Sequence, residues 1–255
     1  MKQRLLCIGL AVAFLGTPLL TPGERPNSAA NRQPVLVELF TSEGCSSCPP
    51  ADDLLEYLDR TQPVAGAQII VLSEHVDYWN RIGWADPYSS PAFSARQNVY
   101  ARRFGLSGPY TPQMVVDGRT EFVGSDARRA ESAIHSAARQ AKLPVRILIS
   151  EAGNRVATVE VDRLPTGNAR KANIYLALAA DRGTSNVLRG ENKGRRLHHV
   201  AIVRHLQQVG SIDERLGFKQ QFPLPIGGVK ADRLIVFAQE PGNGPVWGAA
   251  MHAIP

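Results

Sequence analysis

Cysteine is scarce in this chain, with three in 255 residues, and one of those, Cys7, sits in an apolar leader. Such a count excludes a scaffold in which a dense set of disulfides replaces a hydrophobic core. Charge is absent from Leu5 to Leu20, which follows Lys2 and Arg4 and is broken by Pro18. That stretch is shorter than the twenty or so apolar residues a comfortable membrane span needs. It reads as a secretory leader, with residues 1–30 as signal peptide and linker, so a periplasmic or secreted location is expected. Membrane attachment is expected only through that leader if it stays uncleaved. Neither a phosphate-cradling glycine loop nor a dinucleotide fingerprint is present, so no organic cofactor is expected. The net charge of +6 carries no nucleic-acid motif. Lys2, Arg4 and Arg25 against Glu24 account for +2 of it, leaving +4 on dispersed side chains, which serves solubility rather than nucleic-acid binding.

What is present is a cysteine pair without its leader companion. Thr41-Ser42-Glu43-Gly44-Cys45-Ser46-Ser47-Cys48-Pro49-Pro50 follows the apolar segment Val35 to Phe40. A disulfide between Cys45 and Cys48 closes a loop so short that its chain-entropy gain is only about 2 kcal/mol, against about 3 for fifteen residues. A chain of this length buries a core without that help. The pair is therefore better explained by chemistry. In thiol–disulfide exchange an exposed, acidified Cys45 would attack and Cys48, within bonding reach, would resolve the mixed disulfide.

Hydrophobic periodicity lays out the N-terminal half. Val35 to Phe40 reads as a strand, and Ala51 to Leu58 as a helix with Leu54, Leu55 and Leu58 on one face. Ile69 to Leu72 reads as a strand covered on both faces. A helix begins at Ser90-Pro91, carries Phe93, Tyr100 and Phe104, and stops at Gly105. Met114 to Val116 and Glu121 to Val123 form a hairpin about Asp117-Gly118. Ser125 is expected to cap a helix reaching Ala141, with Ala130, Ile134, Ala137 and Ala141 inward. After Pro144 the pattern changes to short β-type runs at Val145–Ile149, Arg155–Val161, Asn173–Ala180, Leu197–Arg204, Leu234–Gln239 and Val246–His252. Glycine, asparagine and proline separate them. The expectation is an α/β N-terminal domain over 31–143, followed by an all-β sandwich-like C-terminal domain over 144–255.

The β-α-β-α-β-β-α order with C-x-x-C between the first strand and helix resembles the thioredoxin/glutaredoxin superfamily. Tyr110-Thr111-Pro112-Gln113-Met114-Val115-Val116-Asp117-Gly118 matches that superfamily's proline before the hairpin. The resemblance implies a cis Thr111–Pro112 bond facing the cysteines and aligning a substrate backbone beside them. More narrowly, E-L-F-T-S-E-G-C-S-S-C-P-P, H-V-D-Y-W, G-W-A-D-P, S-P-A-F-S-x-R-Q, Y-T-P-Q-M-V-V-D-G and R-G-E-N-K-G-R resemble a family of secreted bacterial proteins of unknown function, DUF1223. Two departures from ordinary thioredoxins stand out. Pro49 directly follows the second cysteine, which moves the helix start toward Cys48. About twenty extra residues, rich in aromatics, precede Thr111-Pro112.

The candidate site is assembled from these residues. Cys45, Cys48, Thr111 and Pro112 would carry the exchange, with Glu38 either a buried proton relay or a solvated strand residue. Glu43 would raise the Cys45 thiol, favouring a reductase or isomerase. Trp79, Trp84 and Tyr110 would grip the substrate, with Tyr88 on the same aromatic rim; the alternative for Trp79, Trp84 and Tyr88 is a satellite core under a long loop. His75 with Cys45 and Cys48 offers an alternative soft-metal site for Cu(I), or else a hydrogen-bonded histidine that holds the aromatic loop. His198, His199 and His205 read as solvated strand and turn. Arg189 to Arg195 reads as a glycine-dependent turn or a surface docking onto the first domain. Protein or small-molecule thiol and disulfide substrates are the expected partners, together with an upstream electron donor or acceptor. A copper chaperone and a non-catalytic interaction protein are the rival functions.

Overall fold

A computed structural model describes residues 32–150, 155–167 and 171–254. The leader lies outside the described residues. Within them, no helix is long and apolar enough to cross a membrane.

The first half keeps the expected order. β1 (Gln33–Thr41) leads to α1 (Pro49–Thr61), β2 (Ala67–His75), a 3-10 turn at Tyr78–Ile82, and α2 (Pro91–Arg103). The hairpin β3 (Gln113–Val116) and β4 (Thr120–Val123) precedes α3 (Ala127–Ala138). Pro49 occupies the first turn of α1, where its missing N–H costs nothing, and Cys48 is the N-cap. Ser90 caps α2 as expected, its hydroxyl accepting from the Ala92 N–H. The cap of α3 is Asp126, not Ser125, because the carboxylate accepts from the Arg129 N–H at 3.0 Å. That helix ends before Ala141, which is exposed.

The second half of the chain overturns the expected fold class. β5 (Val145–Ser150), β6 (Val156–Val161) and β9 (Phe218–Pro223) form a small antiparallel sheet. β7 (Ala172–Asn186), β8 (Arg196–Ile212), β10 (Arg233–Gln239) and β11 (Val246–Ala253) join the first half instead. One eight-stranded mixed sheet runs β11-β10-β7-β8-β2-β1-β3-β4. Among the described residues strand outweighs helix by 42% to 21%, so the fold is mostly β and not a thioredoxin-like domain followed by a sandwich. The physical reason lies at the edge of β2. β8 docks there in parallel, with Ser73 opposite Ile202, and covers backbone groups that an isolated first half would leave unpaired. β9 and the long ends of β7 and β8 escape hydrophobic pattern because their polar residues interrupt it.

Alternation divides the core. Val35, Val37 and Leu39 of β1 face α1 and α3, packing with Leu55, Leu58 and Ile134. Leu36 faces the other side with Ile70, Leu72, Phe93 and Phe237. β7 and β10 turn Ile174, Leu176, Leu234 and Val236 toward the small sheet, where Ala157, Val159 and Phe222 meet them. Each fully buried Leu, Ile or Phe contributes roughly 1.5–3 kcal/mol.

Glu38 settles between its two readings in an unexpected place. It is fully buried, on the α2 side of the sheet. Its Oε1 accepts from Arg96 Nε at 2.6 Å and its Oε2 from the Tyr100 hydroxyl at 2.5 Å. Arg96 also donates to Gln239 at 2.9 Å and Asn243 at 3.2 Å, tying α2 to β1, β10 and the loop after β10. Nearby Glu74 is held well above the usual carboxylate range by burial and then by the charge of Glu38. Removing one member of a buried pair strands the other, which costs about 3–5 kcal/mol. Arg96→Ala is expected to lower the unfolding free energy by about that much, and adding Glu38→Gln to recover part of it, as read by chemical denaturation.

Candidate functional site

The end of β1 delivers the chain into a tight loop at the mouth of α1. Cys45 and Cys48 are joined by a disulfide, with their Cα atoms 5.4 Å apart. The Cys48 N–H donates to the Cys45 carbonyl at 3.2 Å, and the Ala51 and Asp52 N–H groups donate to the Cys48 carbonyl. Contrary to the expectation of an exposed attacking sulfur, both cysteines are fully buried, while Ser46 and Ser47 between them are exposed.

Two aromatic-loop contacts bring the expected partners to this loop. A Cβ on Gly44 would lie 3.0 Å from the Trp79 Cβ, so the glycine lets Trp79 press against the residue before Cys45. Trp79 then donates its indole N–H to the Thr111 hydroxyl at 2.8 Å. The Thr111–Pro112 bond is cis. Pro112 packs at Gly124, where a Cβ would lie 3.2 Å from both the Pro112 Cβ and the Ala51 Cβ of α1. The polar tips of the other aromatics are spent internally. Trp84 donates to Glu43 at 2.7 Å, and Tyr110 donates to Glu121 at 2.6 Å. Glu38 accepts its hydrogen bonds from Arg96 and Tyr100, not from the cysteine loop.

A further contact to the cysteine loop comes from the β7–β8 hairpin. Residues 187–195 close on themselves through Val187 N–H to the Arg195 carbonyl and Gly194 N–H to the Val187 carbonyl. Gly190 and Gly194 take positive φ values of 75° and 82°, as the R-G-E-N-K-G-R spacing requires. This places Asn192, itself buried, with its amide donating to the carbonyls of Glu43 and Cys45, each at 2.9 Å. Glu191 accepts from the Ser46 N–H at 3.0 Å. The loop is thus at once a glycine-dependent turn and a surface docked on the backbone around Cys45.

Beneath the loop lies a buried cluster of acids and imidazoles. The expectation of a solvated His199 fails: β8 carries it inward to 3% exposure, while His198 stays exposed. Its Nε2 lies 3.3 Å from Glu43 Oε1 and its Nδ1 lies 3.6 Å from Asp52 Oδ1. Burial opposes the charged form of His199, but hydrogen bonding and charge from Asp52 and Glu43 outweigh it and push the imidazole up to about 10. His75 is fully buried, its ring edge-on to His199 at 4.6 Å and its Nδ1 2.7 Å from Asp86 Oδ2. Burial pushes Asp86 up, yet His75 together with the N–H groups of Glu43 and Tyr88 holds it below the usual range. Asp86 also anchors the inserted loop by accepting from the Glu43 N–H at 2.9 Å. His75 is therefore the hydrogen-bonded histidine of the two readings, turned toward Asp86. Among the described residues, no group of three or more His, Cys, Asp or Glu side chains could hold a metal ion.

Sequence pattern does not bring His199, Asp52, Asp86, Glu191 or Asn192 into the site. Asp86 has a signal in G-W-A-D-P, and Glu191 and Asn192 have one in the glycine spacing. His199 has none, because its role depends on which strand neighbours β2.

Asn192→Ala removes two hydrogen bonds to the cysteine loop, each worth roughly 0.5–1.5 kcal/mol net. Dithiothreitol should then reduce the disulfide about tenfold faster, as read by alkylation with time. Because His199 has a raised folded-state pKa, its stabilisation is complete below the ordinary value of 6.5 and disappears as pH rises through about 10. The unfolding free energy of the wild type should fall across that window, and that of His199→Gln should fall less steeply.

No curated protein matches this chain. A crystal structure of a protein from Agrobacterium tumefaciens is similar over 85% of this chain and 92% of its own, with 27% identity and a TM-score of 0.69. HBP35 of Porphyromonas gingivalis is similar in fold over 88% of this chain and 76% of its own, with 14% identity and a TM-score of 0.57. Residues 36–239 match the family described as a protein of unknown function, DUF1223, and the chain belongs to that family.

Proposed function

We propose that this protein is an exported thiol–disulfide oxidoreductase of the reductase or isomerase type, acting through Cys45 and Cys48 in the cell envelope. The observation that carries the reading is the disulfide at the N-cap of α1, three residues across, joined through Gly44 and Trp79 to the cis Thr111–Pro112 bond. A bridge that short fastens no distant segments, so stability gives little reason for it. In the reduced protein Cys45 attacks a substrate disulfide, and Cys48 then displaces the captured sulfur and restores the intramolecular bond. Thr111 and Pro112 align the substrate beside the pair. Protein or small-molecule thiols and disulfides are the substrates, and a separate donor or acceptor resets the pair. The leader pattern supports export to the periplasm or beyond.

One observation favours a second reading, a non-catalytic interaction protein whose cysteines stay oxidised: both cysteines are fully buried, and Asn192 holds the Cys45 carbonyl. Trapping separates the two. A Cys48→Ser variant expressed with its leader should accumulate mixed disulfides at Cys45, which disappear in Cys45→Ser. A trap with no captured partner, together with no glutathione- or dithiothreitol-driven exchange, would leave the scaffold reading standing.

A further inference from the structure

We propose that His199 is the positioning residue that makes the Cys45–Cys48 disulfide reducible, its buried positive charge offsetting Glu43 and Asp52 as a thiolate forms beside them. This rests on the exchange reading and adds the group that tunes it.

The geometry begins with two carboxylates that bracket the cysteines. Glu43 precedes Cys45 by two residues and is fully buried. Asp52 lies one helical turn beyond Cys48, its N–H on the Cys48 carbonyl at 3.1 Å, and its side chain is 6% exposed or less. Cys48 is the N-cap of α1, so Asp52 follows it by one helical turn. Two buried anions there oppose any further negative charge.

Opening the disulfide creates such a charge. A substrate thiolate attacks one sulfur and forms a mixed disulfide; the Cys45–Cys48 bond breaks, and its electron pair leaves on the other sulfur as a thiolate. A second substrate thiolate then attacks the mixed disulfide, so oxidised substrate departs and the remaining protein sulfur takes a proton from water. Two electrons pass from the substrate dithiol to the protein pair. Each step puts a thiolate on Cys45, two residues after Glu43, or on Cys48, four residues before Asp52.

His199 is placed to relieve that crowding. It reaches both carboxylates at once, at 3.3 Å and 3.6 Å, from a strand that belongs to neither. The two contacts differ in closeness. Glu43 Oε1 is within hydrogen-bond reach of His199 Nε2, whereas Asp52 Oδ1 and His199 Nδ1 face each other at 3.6 Å with no closer partner among the described residues. Asp52 Oδ2 accepts from the Thr41 hydroxyl at 3.2 Å. The other elements packed on His199 supply His75 from β2, whose Nε2 is also without a partner, and the Tyr88 ring at 5.7 Å; Asp86 stands behind His75. The raised pKa of His199 keeps it charged at neutral pH. Buried charge exerts more force on its neighbours than exposed charge, because water screens it less.

The test is the equilibrium of the whole protein with reduced and oxidised glutathione, read by the fraction of alkylated thiol. His199→Gln should shift that equilibrium about tenfold toward the disulfide, about 30 mV for a two-electron couple. Glu43→Gln removes an anion and should shift it toward the dithiol. A folded His199→Gln with the wild-type equilibrium overturns the proposal, as does Glu43→Gln moving toward the disulfide. If His199→Gln does not fold, Glu43→Gln decides alone, and no shift toward the dithiol overturns it. A pair that no glutathione ratio reduces in wild type or variant overturns it too. Trapping of substrates plays no part in this measurement, so an empty trap would count against the exchange reading while the role of His199 is still decided.

Discussion

The docking of β8 against the open edge of β2 is the constraint on which the site depends. It is a brief parallel contact, Ser73 opposite Ile202, yet it decides three things together. It completes an eight-stranded sheet, turns His199 toward the cysteine loop, and brings the β7–β8 loop onto the backbone around Cys45. A hairpin from the second half thereby supplies both the docked loop and the charge for a cysteine pair carried by the first.

Burial of so much charge has a cost that only pairing offsets. The chain meets it in two separate places. On the α2 side of the sheet, Arg96 answers Glu38 and spreads its remaining donors over Gln239 and Asn243. On the cysteine side, His199 answers Glu43 and Asp52, and His75 answers Asp86. Both keep open atoms. The guanidinium uses its fork of donors on four residues, Tyr100 among them, yet neither oxygen of the adjacent Glu74 has a hydrogen-bond partner among the described residues. The imidazole cluster leaves atoms open on Asp52, His75 and His199. Under the proposed exchange it is connection that separates the two: Glu38 bonds to Arg96 and Tyr100 and has a structural role, whereas Glu43 and Asp52 stand next to the cysteines in the chain.

The aromatic insertion between β2 and the cis proline works as a strut. Trp79 joins the cysteine loop to Thr111, Trp84 caps Glu43, and Asp86 ties the loop after β1 to His75. The tryptophan bodies remain half-buried, and their N–H groups are committed inward. The insertion therefore shapes the rim through position, and its hydrogen bonds hold the cysteine loop in a single arrangement.

Local chemistry was legible from the chain alone. The apolar runs of β1 and β2, the serine cap of α2, the hairpin at Asp117-Gly118 and the cysteines at the start of α1 each arise from nearby residue types. Their cause is short-range: steric limits, capping and side-chain period. The single sheet, the burial of both sulfurs and the recruitment of His199 and Asn192 were decided by tertiary structure. Those depend on which strand covers the edge of β2, and that choice is made by packing between segments more than a hundred residues apart, which no local pattern records.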